Sequence, residues 1–182
     1  ITVNGKSAAY ATAGLTIKNV KFDATNIAQE ASINLGVKGD NNTRYTSNVT
    51  VEDCSFKGNY PTTEKAAIKS YTGGDKNLTI TGCTATGMHS LVQLKNVEGV
   101  TVSNTTVTNG KNGISLGASS NAVISGSTIN VDGYGVRADA IEAGAGAKIE
   151  SSSVTAFIPV VVRNATVDYA LTFQGPNTMN AT

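Results

Sequence analysis

The sequence predicts an all-β solenoid, in which short strands wind into stacked coils. Two observations predict it: a nine-residue phrase returns seven times at a spacing of about 22 residues, and a Gly or Asn opens every copy. The composition agrees, because the 182 residues are rich in Gly, Asn, Thr, Ser and Val and contain no Trp. This is a strand-and-turn composition.

Each copy begins at a corner and continues into a strand. Gly and Asn tolerate a left-handed backbone best, and the apolar residues that follow alternate with polar ones, which is the period of a half-buried strand. The copies are GLTIKNVKF (14–22), NVTVEDCSF (48–56), NLTITGCTA (77–85), GVTVSNTTV (99–107), NAVISGSTI (121–129), GAKIESSSV (146–154) and NATVDYALT (164–172).

A second bend and two further strands complete the predicted coil. The bend positions are Asn19, Asp53, Gly82, Asn104, Gly126, Ser151 and Tyr169. A third strand is predicted at AIKSY (67–71), LVQL (91–94), GISL (113–116), GVRA (135–138) and PVVV (159–162). We therefore expect a parallel β-helix of about seven coils with three short strands each. We expect one domain over 1–182, with irregular first coils and loops in 1–47 and regular coils in 48–174. A β-sandwich is the alternative, but it gives no reason for Gly or Asn to recur at one phase.

The bend resembles that of the right-handed, pectin lyase-like β-helix superfamily, in which a sharp turn commonly carries a left-handed Asn. Asn19, Asp53 and Asn104 match that bend, and the resemblance covers nearly the whole chain. It is a resemblance of architecture and matches no single enzyme family's catalytic motif. It implies polysaccharide binding or cleavage in a groove along an exposed strand face. Members that cleave uronic-acid polymers use Asp and Glu to bind Ca²⁺ with Arg or Lys as base, and hydrolases use paired carboxylates.

One outward column and one charged segment are the candidates for such a site. Lys69, Gln93, Ser115, Arg137 and Val161 are predicted to stand one coil apart on the third strand. The segment DGYGVRADAIE (132–142) adds Asp132, Tyr134, Asp139 and Glu142. Lys69, Gln93, Tyr134, Arg137 and Glu142 are the candidate ligand-binding residues, and Arg137, Asp139 and Asp132 are weak catalytic candidates. A solvated ion pair at Arg137 is the alternative. No metal ligands are assigned; Ca²⁺ stays a candidate ligand, although the column lacks the stacked carboxylates that it needs.

The two cysteines, Cys54 and Cys83, occupy one inward column, which the alignment continues through Val20, Thr105, Ser127, Ser152 and Ala170. Side chains on neighbouring parallel strands stand about 4.8 Å apart, wider than a disulfide prefers, so stacked free thiols are favoured over a disulfide or a metal site. His89, the sole histidine, is interpreted as a packing or surface residue. Six N-x-T sequons begin at Asn41, Asn48, Asn77, Asn104, Asn164 and Asn180, and most of them coincide with corners.

The functional expectation follows from charge and architecture together. A net charge of +1 argues against nucleic acid, and no apolar run approaches a membrane span. The opening ITVNGKS has neither Met nor a leader, so we expect a segment of a longer extracellular or cell-surface protein with flanking domains or self-association. The favoured function is a non-catalytic, adhesin-like domain that binds polysaccharide. A polysaccharide lyase or glycoside hydrolase with its site near Arg137, and a structural stalk, are the alternatives.

Overall fold

The computed structural model describes residues 1–3, 14–26, 28, 30–36, 46–71, 73–139 and 144–182. Over these residues it contains 21 β-strands, numbered β1 to β21 in chain order, in three parallel sheets of seven strands each. Every paired strand runs parallel to its counterpart in the next coil. The prediction of an all-β parallel solenoid is therefore confirmed.

The three sheets take every third strand of the chain. Sheet 1 contains β1 (Thr2–Val3), β4 (Ala31–Leu35), β7 (Ala66–Ser70), β10 (Ser90–Gln93), β13 (Ile114–Gly117), β16 (Tyr134–Asp139) and β19 (Ile158–Arg163). Sheet 2 contains β2 (Leu15–Lys18), β5 (Ser47–Glu52), β8 (Gly73–Thr81), β11 (Asn96–Ser103), β14 (Ala122–Ser125), β17 (Gly146–Glu150) and β20 (Ala170–Gln174). Sheet 3 contains β3 (Lys21–Asp23), β6 (Ser55–Lys57), β9 (Thr84–Thr86), β12 (Thr106–Gly110), β15 (Thr128–Val131), β18 (Ser153–Ala156) and β21 (Thr178–Ala181).

The core is a set of columns that run along the rod. The strand register places equivalent inward residues directly over one another, as in Val51, Ile80 and Val102, each of which is 0% exposed. Phe22 and Phe56 stack in the same way, with ring centroids 4.8 Å apart and planes at 6°. Because a single coil cannot enclose its own apolar face, each coil depends on its neighbours for burial.

The bend between sheets 2 and 3 is left-handed in every coil described. Asn19, Asp53, Gly82, Asn104, Gly126, Ser151 and Gly175 all have positive φ. Within this column of bend residues, each glycine lies next to a polar side chain of the preceding coil. A Cβ on Gly126 would lie 2.7 Å from Oδ1 of Asn104. Glycine at 126 adopts this backbone angle without strain, and a Cβ there would require the Asn104 side chain to move.

The last copy of the repeat was aligned wrongly from the sequence. Ala147 and Ile149 pair with Leu171 and Phe173, and not with Ala165 and Val167. The bend that follows is Gly175, and Tyr169 precedes the strand. The sequence alignment fails here because Asn164 has positive φ, like the true corners, but lies ahead of β20 by several residues. Gly146 is also not a left-handed corner; Gly144 has the positive φ.

From the Asp53 bend onward, a buried polar ladder follows the bends on the inner side. Ser127 Oγ accepts the main-chain N–H of Thr105 at 3.3 Å and donates to its own neighbour, the carbonyl of Ser125, at 2.9 Å. Thr105 and Ser152 repeat this pattern in their own coils. The column ends on Asn177, whose Oδ1 accepts the N–H of Ser152 at 2.9 Å, so the predicted Ala170 was wrong.

Cys54 and Cys83 occupy the same ladder. Both are free and buried, as the sequence predicted. Each thiol donates to the carbonyl two residues before it, Glu52 and Thr81 respectively, as the hydroxyls do. Burial raises the pKa of the Cys83 thiol to about 11. Both cysteines are therefore members of a packing column, and the raised pKa keeps Cys83 in its thiol form.

The ladder predicts the effect of substitutions at Thr105. Thr105→Val keeps the shape but leaves the N–H of Cys83 without its acceptor, whereas the carbonyl of Ser103 loses one donor and keeps the N–H of Gly82. We expect it to lower the free energy of unfolding by about 1–3 kcal/mol in urea titrations. Thr105→Ser keeps the hydroxyl and is the matched control; an equal loss in both variants would show that the hydroxyl is not the stabilising group.

Candidate functional site

The outer face of sheet 1 holds the column that the sequence analysis singled out. Lys69 pairs with Gln93, Gln93 with Ser115, Ser115 with Arg137 and Arg137 with Val161. The predicted order of this column is confirmed by the strand register. Three coil steps of about 4.8 Å separate Lys69 from Arg137, roughly 14 Å in all. The two cations thus share a face without converging on one point.

Lys69 is bound at the N-terminal end of this face. Its ammonium group forms an ion pair with Glu30 and lies 5.2 Å from the ring centre of Tyr71. The Tyr71 hydroxyl donates to the same Glu30 carboxylate at 3.3 Å. Burial, followed by the charge of Glu30, raises the pKa of Tyr71 to about 12, so the phenol stays protonated. Lys69, Glu30 and Tyr71 form a closed cluster.

Arg137 and Asp139 form the second cluster, in β16. Nη2 of Arg137 lies 3.6 Å from Oδ2 of Asp139, a long ion pair. The other oxygen, Oδ1 of Asp139, accepts a hydrogen bond from Nδ2 of Asn164 at 2.9 Å. Nε of Arg137 is enclosed and has no hydrogen-bond partner in the described part of the chain. Asp139 therefore has a partner for each carboxylate oxygen. Arg137, in contrast, makes one long ion pair among the described residues.

Tyr134 extends this second cluster toward the next coil. The guanidinium of Arg163 lies 5.9 Å from the Tyr134 ring centre, and the Tyr134 N–H donates to Oδ1 of Asn112 at 3.1 Å. Arg163 itself pairs with Asp139 in the strand register. Two arginines, one tyrosine and one carboxylate thus share the C-terminal part of the sheet 1 face. We call Tyr134, Arg137, Asp139 and Arg163 the arginine cluster.

Of the remaining predicted residues, those that the structure describes do not join the arginine cluster. Asp132 is exposed in the turn before β16, where its N–H donates to the carbonyl of Gly110. Glu142 lies outside the described residues. Gln93 is exposed and Ser115 half-buried, and both stand between the two clusters.

The arginine cluster does not fit a divalent cation. Ca²⁺ takes six to eight oxygen ligands. Among the residues that the structure describes, no group of three or more His, Cys, Asp or Glu side chains could hold a metal ion. The one carboxylate of the cluster, Asp139, is already paired with Arg137 and Asn164.

His89 lies apart from this face, in a corner before β10. Its Nε2 lies 3.3 Å from Nδ2 of Asn112, and Oδ1 of Asn112 accepts the N–H of Tyr134. An amide nitrogen only donates, so Nε2 must accept and the neutral ring carries its proton on Nδ1. The Tyr60 ring meets His89 edge-on at 6.5 Å. This geometry agrees with a packing role.

Sequence reasoning missed some of the partners in each cluster. Glu30, Tyr71, Arg163 and Asn164 bind the predicted residues but were not chosen as site residues. Glu30 and Lys69 lie 39 positions apart, so no local pattern joins them. Arg163 had a usable signal, because it follows the strand PVVV at the phase of Asp139. Asn164, chosen as a corner and a sequon, also donates to Asp139.

Comparison with known proteins identifies the family. The chain matches the family described as "Right handed beta helix region" over residues 1–170 and belongs to that family. The pectin lyase-like resemblance is consistent with this membership. Comparison with curated proteins and with solved structures finds no match. None of the described residues forms a helix with the length and apolarity that a membrane crossing requires.

The His89 corner predicts how stability depends on pH. Burial lowers the pKa of His89 below its ordinary 6.5, an effect that Glu64 opposes and that Lys111 and Lys69 reinforce. As the pH falls through 6.5, His89 therefore becomes protonated in the unfolded chain while it stays neutral in the folded chain. Stability from this group is present above pH 6.5 and decreases as the pH falls below it.

We expect the urea midpoint to decrease between pH 7.5 and pH 5.5, a range in which no other side chain with an ordinary pKa titrates. His89→Gln keeps an acceptor for Asn112 but cannot be protonated, so it should flatten this part of the profile. A slope that survives in His89→Gln would refute the assignment.

Proposed function

We propose that the chain is a non-catalytic, adhesin-like domain that binds polysaccharide on the outer face of sheet 1. The observation that carries the proposal is the state of Arg137. Its one ion pair among the described residues is long, at 3.6 Å, and its side chain is 30% exposed, although Nε itself is enclosed. Loosely paired terminal amino groups of a partly exposed guanidinium are suited to hydroxyl or carboxylate oxygens of a sugar.

The neighbouring residues support a site for an extended ligand. Gln93 and Ser115 present hydrogen-bonding groups at successive coils between Lys69 and Arg137. The ring of Tyr134 lies beside Arg163 and is half-buried, so it offers an apolar surface next to polar groups. A chain-like ligand that follows the rod would meet one polar side chain every 4.8 Å or so.

A binding role is favoured over cleavage by the arrangement of carboxylates. Glycoside hydrolysis uses two carboxyl groups about 5–10 Å apart, one as acid and one as base or nucleophile. At the arginine cluster, Asp139 is committed to Arg137 and Asn164, and Asp132 stands on the exposed turn before the strand. Cell-surface or extracellular location is part of the proposal and is supported by the Gly-, Asn- and Thr-rich composition.

The test is a glycan array that includes uronic-acid polymers, followed by calorimetry on each ligand found. Arg137→Gln should weaken binding by about 10- to 100-fold, because a hydrogen bond to a charged group contributes about 1.5–3 kcal/mol. Lys76→Gln is the matched control: Lys76 is an exposed cation on sheet 2, paired with Glu98 at 2.6 Å. It should leave the affinity unchanged.

Other outcomes would favour the alternative functions. Loss of binding in Lys76→Gln with full binding in Arg137→Gln would move the site off sheet 1. Absence of any glycan ligand would favour a structural stalk. Unsaturated products absorbing in the ultraviolet, released from uronic-acid polymers with or without added Ca²⁺, would favour a lyase.

A further inference from the structure

The outer face of sheet 3 differs from the other two sheet faces in composition. From β9 to β21 its outward positions contain only Thr, Ser and Asn: Thr84, Thr86, Thr106, Thr108, Thr128, Asn130, Ser153, Thr155, Thr178 and Asn180. None of these ten side chains is charged or aromatic. We call them the threonine face.

These residues form two straight columns. The strand register pairs Thr84, Thr106, Thr128, Ser153 and Thr178 in one column, and Thr86, Thr108, Asn130, Thr155 and Asn180 in the other. Neighbours within a column are about 4.8 Å apart, and the two columns are about 6.6 Å apart, which is two residues along a strand. The face is therefore a two-dimensional lattice of hydroxyl, methyl and amide groups.

Strand propensity alone does not account for this face. Thr is favoured in any exposed strand, and sheet 2 has an outward column of Thr16, Thr50, Thr79 and Thr101. Unlike the threonine face, however, the outer face of sheet 2 also carries charges, in the ion pairs Lys18–Glu52 and Lys148–Glu150. The first coils of sheet 3 itself carry Lys21, Asp23 and Lys57, which precede the threonine face in the same two columns. Charge is thus tolerated at these positions and is missing from the five coils that follow.

The side chains of the threonine face are also held in place. Thr is β-branched and stiff at χ1, so little rotamer freedom remains to be lost on binding. The hydroxyls of Thr86 and Thr108 lie 3.2 Å apart and bond across neighbouring coils. Nδ2 of Asn180 approaches Oγ1 of Thr155 at 3.5 Å.

We infer that the threonine face binds ice. A rigid, uncharged lattice that alternates a hydroxyl with a methyl group can hold a layer of ordered water whose oxygens repeat in two dimensions. The oxygen lattice of ice has repeats of comparable size. A sugar chain is a poorer match, because none of the ten side chains is an aromatic ring for stacking or a charged group for orientation; the exposed Phe157 lies just beyond the end of β18. This surface is separate from the sheet 1 face and does not depend on the function proposed there.

Thermal hysteresis, measured by osmometry on single ice crystals, tests the inference. The unmodified chain should separate the freezing and melting points of ice and shape growing crystals. Thr106→Lys places a charge at the middle of the lattice and should reduce the hysteresis to that of an inert protein. The matched control is Thr101→Lys, the same change in the same coil on the outer face of sheet 2.

Circular dichroism and urea unfolding establish that each variant is folded, and Asn130→Lys replaces Thr106→Lys if the latter does not fold. Hysteresis that is lost in Thr106→Lys and kept in Thr101→Lys supports the inference. Hysteresis that survives in Thr106→Lys, or is lost equally in both, overturns it. The absence of hysteresis in the unmodified chain also overturns it, and binding to crystalline cellulose or chitin would then assign the face to a polysaccharide.

Discussion

The stacking of parallel strands in register is the constraint on which the whole structure depends. It fixes the identity of residues at the corners, where every bend between sheets 2 and 3 has positive φ. It also brings successive bends into contact, because Oδ1 of Asn104 would lie 2.7 Å from a Cβ placed on Gly126. Inside the rod the same register joins Thr105, Ser127 and Ser152 into one hydrogen-bonded ladder. Each coil therefore depends on its neighbours both for the burial of its apolar side chains and for the hydrogen-bond partners of its polar groups.

The same constraint gives the outer surface its functional character. The register places the outward residues of successive coils in one column, so each sheet face presents a row of side chains at one spacing. On sheet 1 the side chains of the row differ in charge and hydrogen-bonding groups, from Lys69 through Gln93 to Arg137 in the arginine cluster. On sheet 3 the row is nearly uniform across the threonine face. A varied row suits a ligand with distinct groups, and a uniform row suits a ligand that is itself a lattice.

Periodic features could be predicted from the sequence, and non-periodic ones could not. The corners, the inward cysteine column and the outward column were readable because each coil repeats them. The last copy was misaligned because Asn164 resembles a corner while the strand begins later, at Ala170. The partners of the site residues were missed for a related reason: Glu30, just before β4, binds Lys69 in the next coil, 39 residues away. The insertion between these two coils breaks the regular spacing, so the repeat does not align the two residues.

Distance measurements by pulsed electron paramagnetic resonance test the stacking most directly. Cys54→Ser and Cys83→Ser remove the native thiols, and the ladder already accepts serine at 127 and 152. Spin labels at Ser55→Cys and Thr178→Cys span five coil steps, about 24 Å, and labels at Thr84→Cys and Thr178→Cys span four, about 19 Å. The account predicts two narrow distributions whose maxima differ by about 5 Å, the rise of one coil. Equal maxima, or broad distributions in both pairs, would contradict it.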